Sequence, residues 1–197
     1  IGVFWGYVSL IEGLERCLEH QLDAGFDGIL TIDYDTIFKP EDVLELMRLL
    51  ESNPDVDVVM AMQQGRGGNM PLLSIKQPSG RWLFNCTSER FSGDLTKIST
   101  GHFGLTLIRS SMLLDLPHPW FIGKTDAEGR WGITRTDADI SFWRNMEENS
   151  KRACQANRVV IGHCAGDIII WPSNEFKPLY QPLQAYHEKG KPENIWR

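Results

Sequence analysis

Between Tyr7 and Ala24 apolar residues recur every three or four positions, at Val8, Ile11, Leu14, Leu18 and Leu22, with Glu12, Glu15, Arg16 and Glu19 between them. That spacing predicts an amphipathic helix, ended by Gly25. Gly28-Ile29-Leu30-Thr31-Ile32 is instead a nearly continuous apolar run with β-branched members, the pattern of a strand covered on both faces. Pro40, Glu41 and Asp42 open a second helix whose apolar side is Val43, Leu46, Met47, Leu49 and Leu50, and Asn53-Pro54 closes it. Val56 to Met62 reads as a second buried strand. Helices alternating with strands predict an α/β fold with a mixed, mainly parallel sheet flanked by helices.

The middle of the chain changes character. Leu72 to Lys76 and Arg81 to Cys86 flank the turn signal Gln77-Pro78-Ser79-Gly80, which predicts an inserted antiparallel hairpin. Ser99-Thr100-Gly101-His102-Phe103-Gly104 is a run of mostly small residues leading into Leu105, Leu107 and Ile108. Gly123 to Arg135 lacks periodicity and predicts a loop, Thr136 to Asn149 predicts a helix, and Arg158 to Ile161 and Ile168 to Trp171 predict strands around Gly162-His163-Cys164-Ala165-Gly166-Asp167. Beyond Pro172 the sequence turns polar and Pro-rich, so residues 1–171 are expected to form the domain and 172–197 an irregular tail.

Composition narrows the class. With 42% hydrophobic and 23% charged residues, 18 Gly and 4 Cys in 197, the chain is neither collagenous, nor disordered, nor a disulfide scaffold. A chain of this length buries a core without a metal, so any metal has a functional job. No apolar run approaches the ~20 residues of a membrane span, and no leader pattern is present. A net charge of -6 with scattered Lys and Arg argues against nucleic acid as a partner and leaves an anionic substrate in need of a cation. Cys17, Cys86, Cys154 and Cys164 form no CxxC pair, which favours reduced thiols and a cytoplasmic location; without a secretory pattern, the Asn85-Cys86-Thr87 sequon is read as a chance occurrence.

Chemistry concentrates in three places. Asp33-Tyr34-Asp35 follows a buried strand, at the sheet edge where α/β folds collect ligands. Two residues apart in extended chain, the carboxylates point the same way and repel unless a cation such as Mg²⁺ or Mn²⁺ joins them. The alternative is a pair of solvated loop acids, one of them capping the next helix. Thr136 and Asp139 have capping-box spacing, which leaves Asp137 as either a general base or a complement to the helix terminus. His163, between a strand and a Gly-rich turn, is either a metal ligand or a hydrogen-bonded structural residue. Cys17 and His20 have no second Cys/His pair, which argues against zinc, and at His102 and His118 turn chemistry is equally plausible.

Taken in order, Gly28 to Asp35 with Pro40 to Val43, Ser99 to Arg109, Thr136 to Ile140 and Val160 to His163 resemble the nucleotide-sugar glycosyltransferases of the GT-A fold, in the broad family-two group. The resemblance implies a nucleotide-sugar donor, an acceptor hydroxyl and Mn²⁺ or Mg²⁺. It implies that Asp33 lies near the donor ribose and the metal, that Asp35 binds the metal, and that His163 completes the metal shell. Asp137 resembles the base of inverting members, with Thr136 where a Glu is usual. Gly101 to Gly104 resembles the stretch lining the acceptor side, with His102 as a bulky member, and Trp131 is placed to stack on a sugar. Only one helix precedes Gly28, whereas the family begins with a nucleobase-binding strand and loop; the chain is therefore expected to be a piece of a longer one or to have lost nucleotide binding. Two other readings compete: a nucleotidyltransferase, for which Gly65-Arg66-Gly67-Gly68 is the one Gly-rich loop, and a non-catalytic sugar-binding module using Trp131, Trp143 and Trp171 as platforms.

Overall fold

The computed structural model describes residues 10–68, 70–83, 90–175 and 177–196. Its elements are α1 (Leu10–Asp23), β1 (Gly28–Ile32), β2 (Thr36–Ile37), α2 (Pro40–Ser52), β3 (Val58–Gln63), β4 (Ile75–Lys76), β5 (Trp82–Leu83), β6 (Leu95–Ile98), β7 (Leu105–Arg109), α3 (Ser110–Asp115), α4 (Ala138–Glu148), β8 (Ala153–Ala165), β9 (Ile168–Pro172), β10 (Pro178–Pro182) and α5 (Leu183–Lys189). The fold is mixed α/β. The chain divides into two compact units, Ile1–Ile29 with Ile108–Lys151 and Leu30–Leu107 with Arg152–Arg197, the division falling inside β1 and β7.

The main sheet is ordered β1-β7-β3-β8-β9-β10, with β2 and β6 also paired to β8. Continuous apolar runs predict covered strands, and β3 is buried along its whole length. Its direction is another matter. β3 and β8 run parallel, but β8 is antiparallel to β2, β6 and β9, and β9 to β10. Asp33 at the end of β1 donates to Gly104 before β7, and Ser110 after β7 donates to Asp27 before β1, so that pair is antiparallel too. The sheet is mixed, as expected, but the expectation that it is mainly parallel is corrected: these pairs are antiparallel apart from β3 with β8. Covering both faces removes the period-two alternation whichever way a strand runs, so the apolar pattern carries no direction.

Leu46, Leu49 and Leu50 of α2 pack with Val56, Val59, Ala61, Leu105, Leu107, Ala156 and Ile161 in one buried cluster. Helix α2 begins at Pro40, and Asp42 accepts the Lys39 backbone N–H at 2.7 Å. Strand β8 serves several partners in turn. Its register against β3 jumps between Ala61↔Ala156 and Met62↔Val160, so Asn157, Arg158 and Val159 bulge out and the strand then continues to meet β2 and β9. The predicted hairpin is present as β4 and β5 around the turn at 77–80, where Gly80 has φ +82°; the part of it beyond Leu83, with the sequon at 85–87, lies outside the described residues.

The expected irregular tail is an integral part of the second unit. β10 closes the sheet against β9, α5 follows, and Ile195 and Trp196 are buried. Trp196 donates from its indole to the Asn157 carbonyl at 2.6 Å and meets the Phe91 ring edge-on. Lys191, largely buried, reaches both the Asp42 carboxylate at 2.7 Å and the Val160 carbonyl. The prolines that made 178–182 look non-regular stand at the two ends of the last strand of the sheet, where a missing N–H donor is tolerated.

In the first unit Leu18, Met112, Leu113, Trp120, Phe121, Phe142, Trp143 and Met146 are buried, and Phe121 stacks on Phe142 with centroids 4.9 Å apart. Glu15 on α1 accepts the backbone N–H groups of Trp120 and Phe121. Among the described residues no helix is long and apolar enough to cross a membrane.

Because Trp196 is 3% exposed and hydrogen-bonded, Trp196→Ala is expected to cost about 3–5 kcal/mol in urea unfolding. A dispensable tail would instead show a change below about 0.5 kcal/mol.

Candidate functional site

The site assembles where β1 ends. Residues 33–36 form a turn closed by the Thr36 N–H on the Asp33 carbonyl at 3.1 Å. The chain here is not extended, so the two acids do not share a side: Asp33 is exposed while Asp35 is buried, with Tyr34 standing 93% exposed between them. Thr36 then opens β2 directly opposite His163 of β8, and the Cys164 N–H donates to the Asp35 carbonyl at 2.7 Å. The strand pairing therefore delivers Asp35 to His163, whose Nε2 lies 3.3 Å from the Asp35 carboxylate. Contrary to the turn predicted around it, His163 is held inside a strand.

His163 is locked at both nitrogens. Nδ1–H donates to the Gln64 carbonyl at 3.1 Å, which leaves Nε2 as an acceptor, and Arg66 Nε–H donates to it at 2.9 Å. The same guanidinium forms an ion pair with Asp35 Oδ2. Burial is the largest influence on the imidazole and lowers its pKa; the Gln64 hydrogen bond and the charge of Asp33 oppose this, and the charge of Arg66 adds to it. The net effect is a neutral ring with a fixed tautomer.

The donor set fits a divalent cation. A carboxylate and an imidazole lone pair converge on one cation, here a guanidinium, and the second ring nitrogen is oriented by a backbone carbonyl, as it is in metal-ligating histidines. The carboxylate favours hard ions such as Mg²⁺ or Mn²⁺. Asp33 does not join this set. Among the described residues, the His/Cys/Asp/Glu group of three with ligand atoms mutually within 4.8 Å is Glu15, Glu19 and His118, in the first unit. There Glu15 is engaged by the Trp120 and Phe121 N–H groups and by Nδ1 of His118 at 3.1 Å, which accounts for the cluster structurally.

The remaining candidates fall elsewhere. His102, expected to contact acceptor or sugar, is buried with both nitrogens engaged: Nε2 donates to the Ala61 carbonyl at 2.8 Å and Nδ1 accepts the Gly104 N–H at 2.9 Å. It ties the turn before β7 to β3, and burial pushes its pKa down to about 4. A Cβ on Gly101 would collide with the Met60 side chain, and one on Gly104 would lie 2.5 Å from the Gln63 amide oxygen, so these glycines answer to packing. In the first unit, Trp131 is 66% exposed and its ring edge lies against Gly123, where an added Cβ would come within 3.0 Å of it. The loop carrying it is closed by paired Lys124 and Thr136 backbone bonds at 2.8 Å. Helix α4 starts one residue later than the capping box requires: Asp137 is its N-cap without a side-chain cap bond, Thr136 accepts from Arg144, and Asp139 accepts the Ile140 N–H. The exposed Asp137 carboxylate is gripped by Arg135 at 2.7 and 3.4 Å.

The residue missed from sequence is Arg66. Its signal was a lone cation among glycines just after a buried strand. A separate groove of about 680 Å³, lined by Phe91, Arg158, Lys191, Glu193 and Trp196, shares no residue with this cluster.

No family model matches the chain, and no curated protein is significantly similar to it. Among solved structures it is similar to the crystal structure of A197 from STIV, with a TM-score of 0.59 and 16% identity over 87% of this chain and 75% of that one. At that identity the likeness shows a shared fold.

His102 sets a pH dependence of stability. Its folded pKa of about 4 lies below the ordinary 6.5, so between those values the unfolded chain binds the extra proton and stability falls as pH falls. Urea unfolding at pH 7 and pH 4.5 should differ by on the order of 2–3 kcal/mol from this group. In His102→Gln that part of the difference should vanish; an unchanged slope would refute the assignment.

Proposed function

We propose that the chain is a metal-dependent glycosyltransferase that moves a sugar from a nucleotide-diphosphate donor to an acceptor hydroxyl, with inversion at the anomeric carbon. The observation that carries the reading is the Asp35–His163 pair, held at the end of β1 with its acceptor atoms turned on a cation. The order of the motifs it resembles adds the reaction class. Asp35 and His163 would hold Mn²⁺ or Mg²⁺, which when bound supplies the positive charge that the leaving diphosphate needs. Asp33, in water one turn away from Asp35, accepts hydrogen bonds from the donor ribose. The resemblance, not the placement of one unit against the other, gives Asp137 the role of base: it would take the proton of the acceptor hydroxyl as that oxygen bonds to the anomeric carbon, while the bond to the diphosphate breaks and its electron pair leaves with the phosphate oxygen. The Arg135 fork orients the Asp137 carboxylate. Trp131 offers an exposed ring to a sugar face.

Two observations weigh against the competing readings. Trp143 and Trp171 are buried, at 1% and 0% exposure, so two of the three platforms of a sugar-binding module are inside the protein. The Gly65–Gly68 segment forms a turn and, among the described residues, leads to no helix N-terminus that could cradle a nucleotide's phosphates.

Thermal-shift titration with a nucleoside diphosphate is expected to raise the melting temperature only with Mn²⁺ or Mg²⁺ present, and Asp35→Asn should abolish the metal-dependent part. Stabilisation of equal size in EDTA would count against a metal site.

Asp137→Asn should lower kcat by roughly 10² to 10⁴ with donor affinity nearly unchanged. Stability should shift by less than about 1 kcal/mol, because no cap bond is lost. Retained turnover with a lowered Tm would instead identify a purely structural acid.

A further inference from the structure

Both acceptor atoms that make this site suitable for a divalent cation are already spent on one side chain. The Nε2 lone pair of His163 takes the Arg66 Nε–H at 2.9 Å, and Asp35 Oδ2 is ion-paired to a terminal nitrogen of the same guanidinium. A nitrogen lone pair cannot accept a hydrogen bond and bind a metal at once. His163 has no spare donor atom either, because Nδ1–H is fixed on the Gln64 carbonyl. A guanidinium does not lose its proton in proteins, so it does not vacate the site by neutralising. The two occupants exclude each other.

We infer that Arg66 is a built-in counter-cation which fills the Asp35–His163 site and leaves it when a divalent ion is loaded, so that the site takes its metal by exchange. The inference rests on the metal-dependent reading above and adds a regulation to it. Asp35 is buried, and a buried carboxylate stripped of its partner is strongly destabilising, so the site needs a cation at every stage. Arg66 supplies one that remains covalently attached. Its surroundings suit a side chain that moves: it is half exposed and stands on a turn between Gly65 and Gly67. At Gly67 an added Cβ would meet nothing within 4 Å, at Gly68 only the Met70 nitrogen at 3.9 Å, and neither has a positive φ. Packing and backbone conformation therefore do not call for glycine at these positions. What glycine contributes there is conformational freedom. The swing also returns a guanidinium to solution beside an incoming diphosphate, which it can pair with bidentately.

The exchange is tested by titrating the full chain with Mn²⁺ and following the electron paramagnetic resonance of the free ion. The variants are Arg66→Ala, Arg66→Gln and Asp35→Asn, with far-UV circular dichroism to establish that each folds. Arg66→Gln keeps amide donors for Asp35 and His163 and serves if the alanine variant does not fold. Removing a competitor held by charge-assisted hydrogen bonds should tighten Mn²⁺ binding roughly tenfold or more, and Asp35→Asn should remove it. Mn²⁺ binding that depends on Asp35 but is equal or weaker in the folded Arg66 variants overturns the exchange and leaves the metal reading standing. No Mn²⁺ binding by the wild type or any Arg66 variant overturns both.

Discussion

A carboxylate taken out of water must be given a positive partner, and in this protein that requirement organises the end of the sheet. Asp35 is 9% exposed. Its burial follows from the turn at 33–36, which drops the chain from β1 into β2 and presses Asp35 against β8. The cost of desolvating the charge is offset by the Arg66 guanidinium, which Asp35 shares with the lone pair of His163. Asp33, two residues earlier, is exposed to water. One tripeptide thus contains two acids with different physics, and the difference is imposed by a single backbone hydrogen bond from Thr36 to Asp33.

Strand β8 is what lets that contact form. Its first part lies between β3 and β6, deep in the cluster anchored by α2. The bulge at Asn157 to Val159 releases the strand from this register, and its last part reaches β2 and β9. Asn157 is also where the carboxyl-terminal segment attaches, through its carbonyl to the Trp196 indole. The segment beyond residue 172 is therefore bonded to the same strand that carries His163. Loss of those contacts would be felt through β8.

How much of this the sequence discloses depends on whether the cause is local. Helix α2 is legible from Pro40 to Ser52 because its start and stop are written in adjacent residues: Pro at the first turn, Asp42 returning to the Lys39 N–H, Asn53-Pro54 beyond the end. β1 and the turn of the hairpin are legible for the same reason. Strand direction is not, since an apolar run looks alike either way. The strand at 178–182 is hidden by its bounding prolines, which mean an edge only after the neighbouring strand is known. At the site, Asp35 and His163 are legible as candidate residues, but their contact depends on the Thr36↔His163 register, which spans more than a hundred residues of sequence. Arg66 is a lone cation in a glycine-rich turn, and nothing local marks it as a partner of either.

The two histidines of this unit show where residue type stops being informative. His102 and His163 both follow a glycine, and both are drawn below the ordinary imidazole pKa chiefly by burial. His102 meets a carbonyl with one nitrogen and a backbone N–H with the other, so its hydrogen-bonding capacity is exhausted by main chain. His163 also gives one nitrogen to a carbonyl, but its second meets a side-chain cation that shares a buried carboxylate. A main-chain donor cannot be exchanged without unfolding the turn that carries it; the partner of His163 is a half-exposed side chain instead. The first histidine is thereby committed to holding β3 to the turn before β7. The second meets, at its other nitrogen, a side chain rather than main chain, and that is the physical difference between the two.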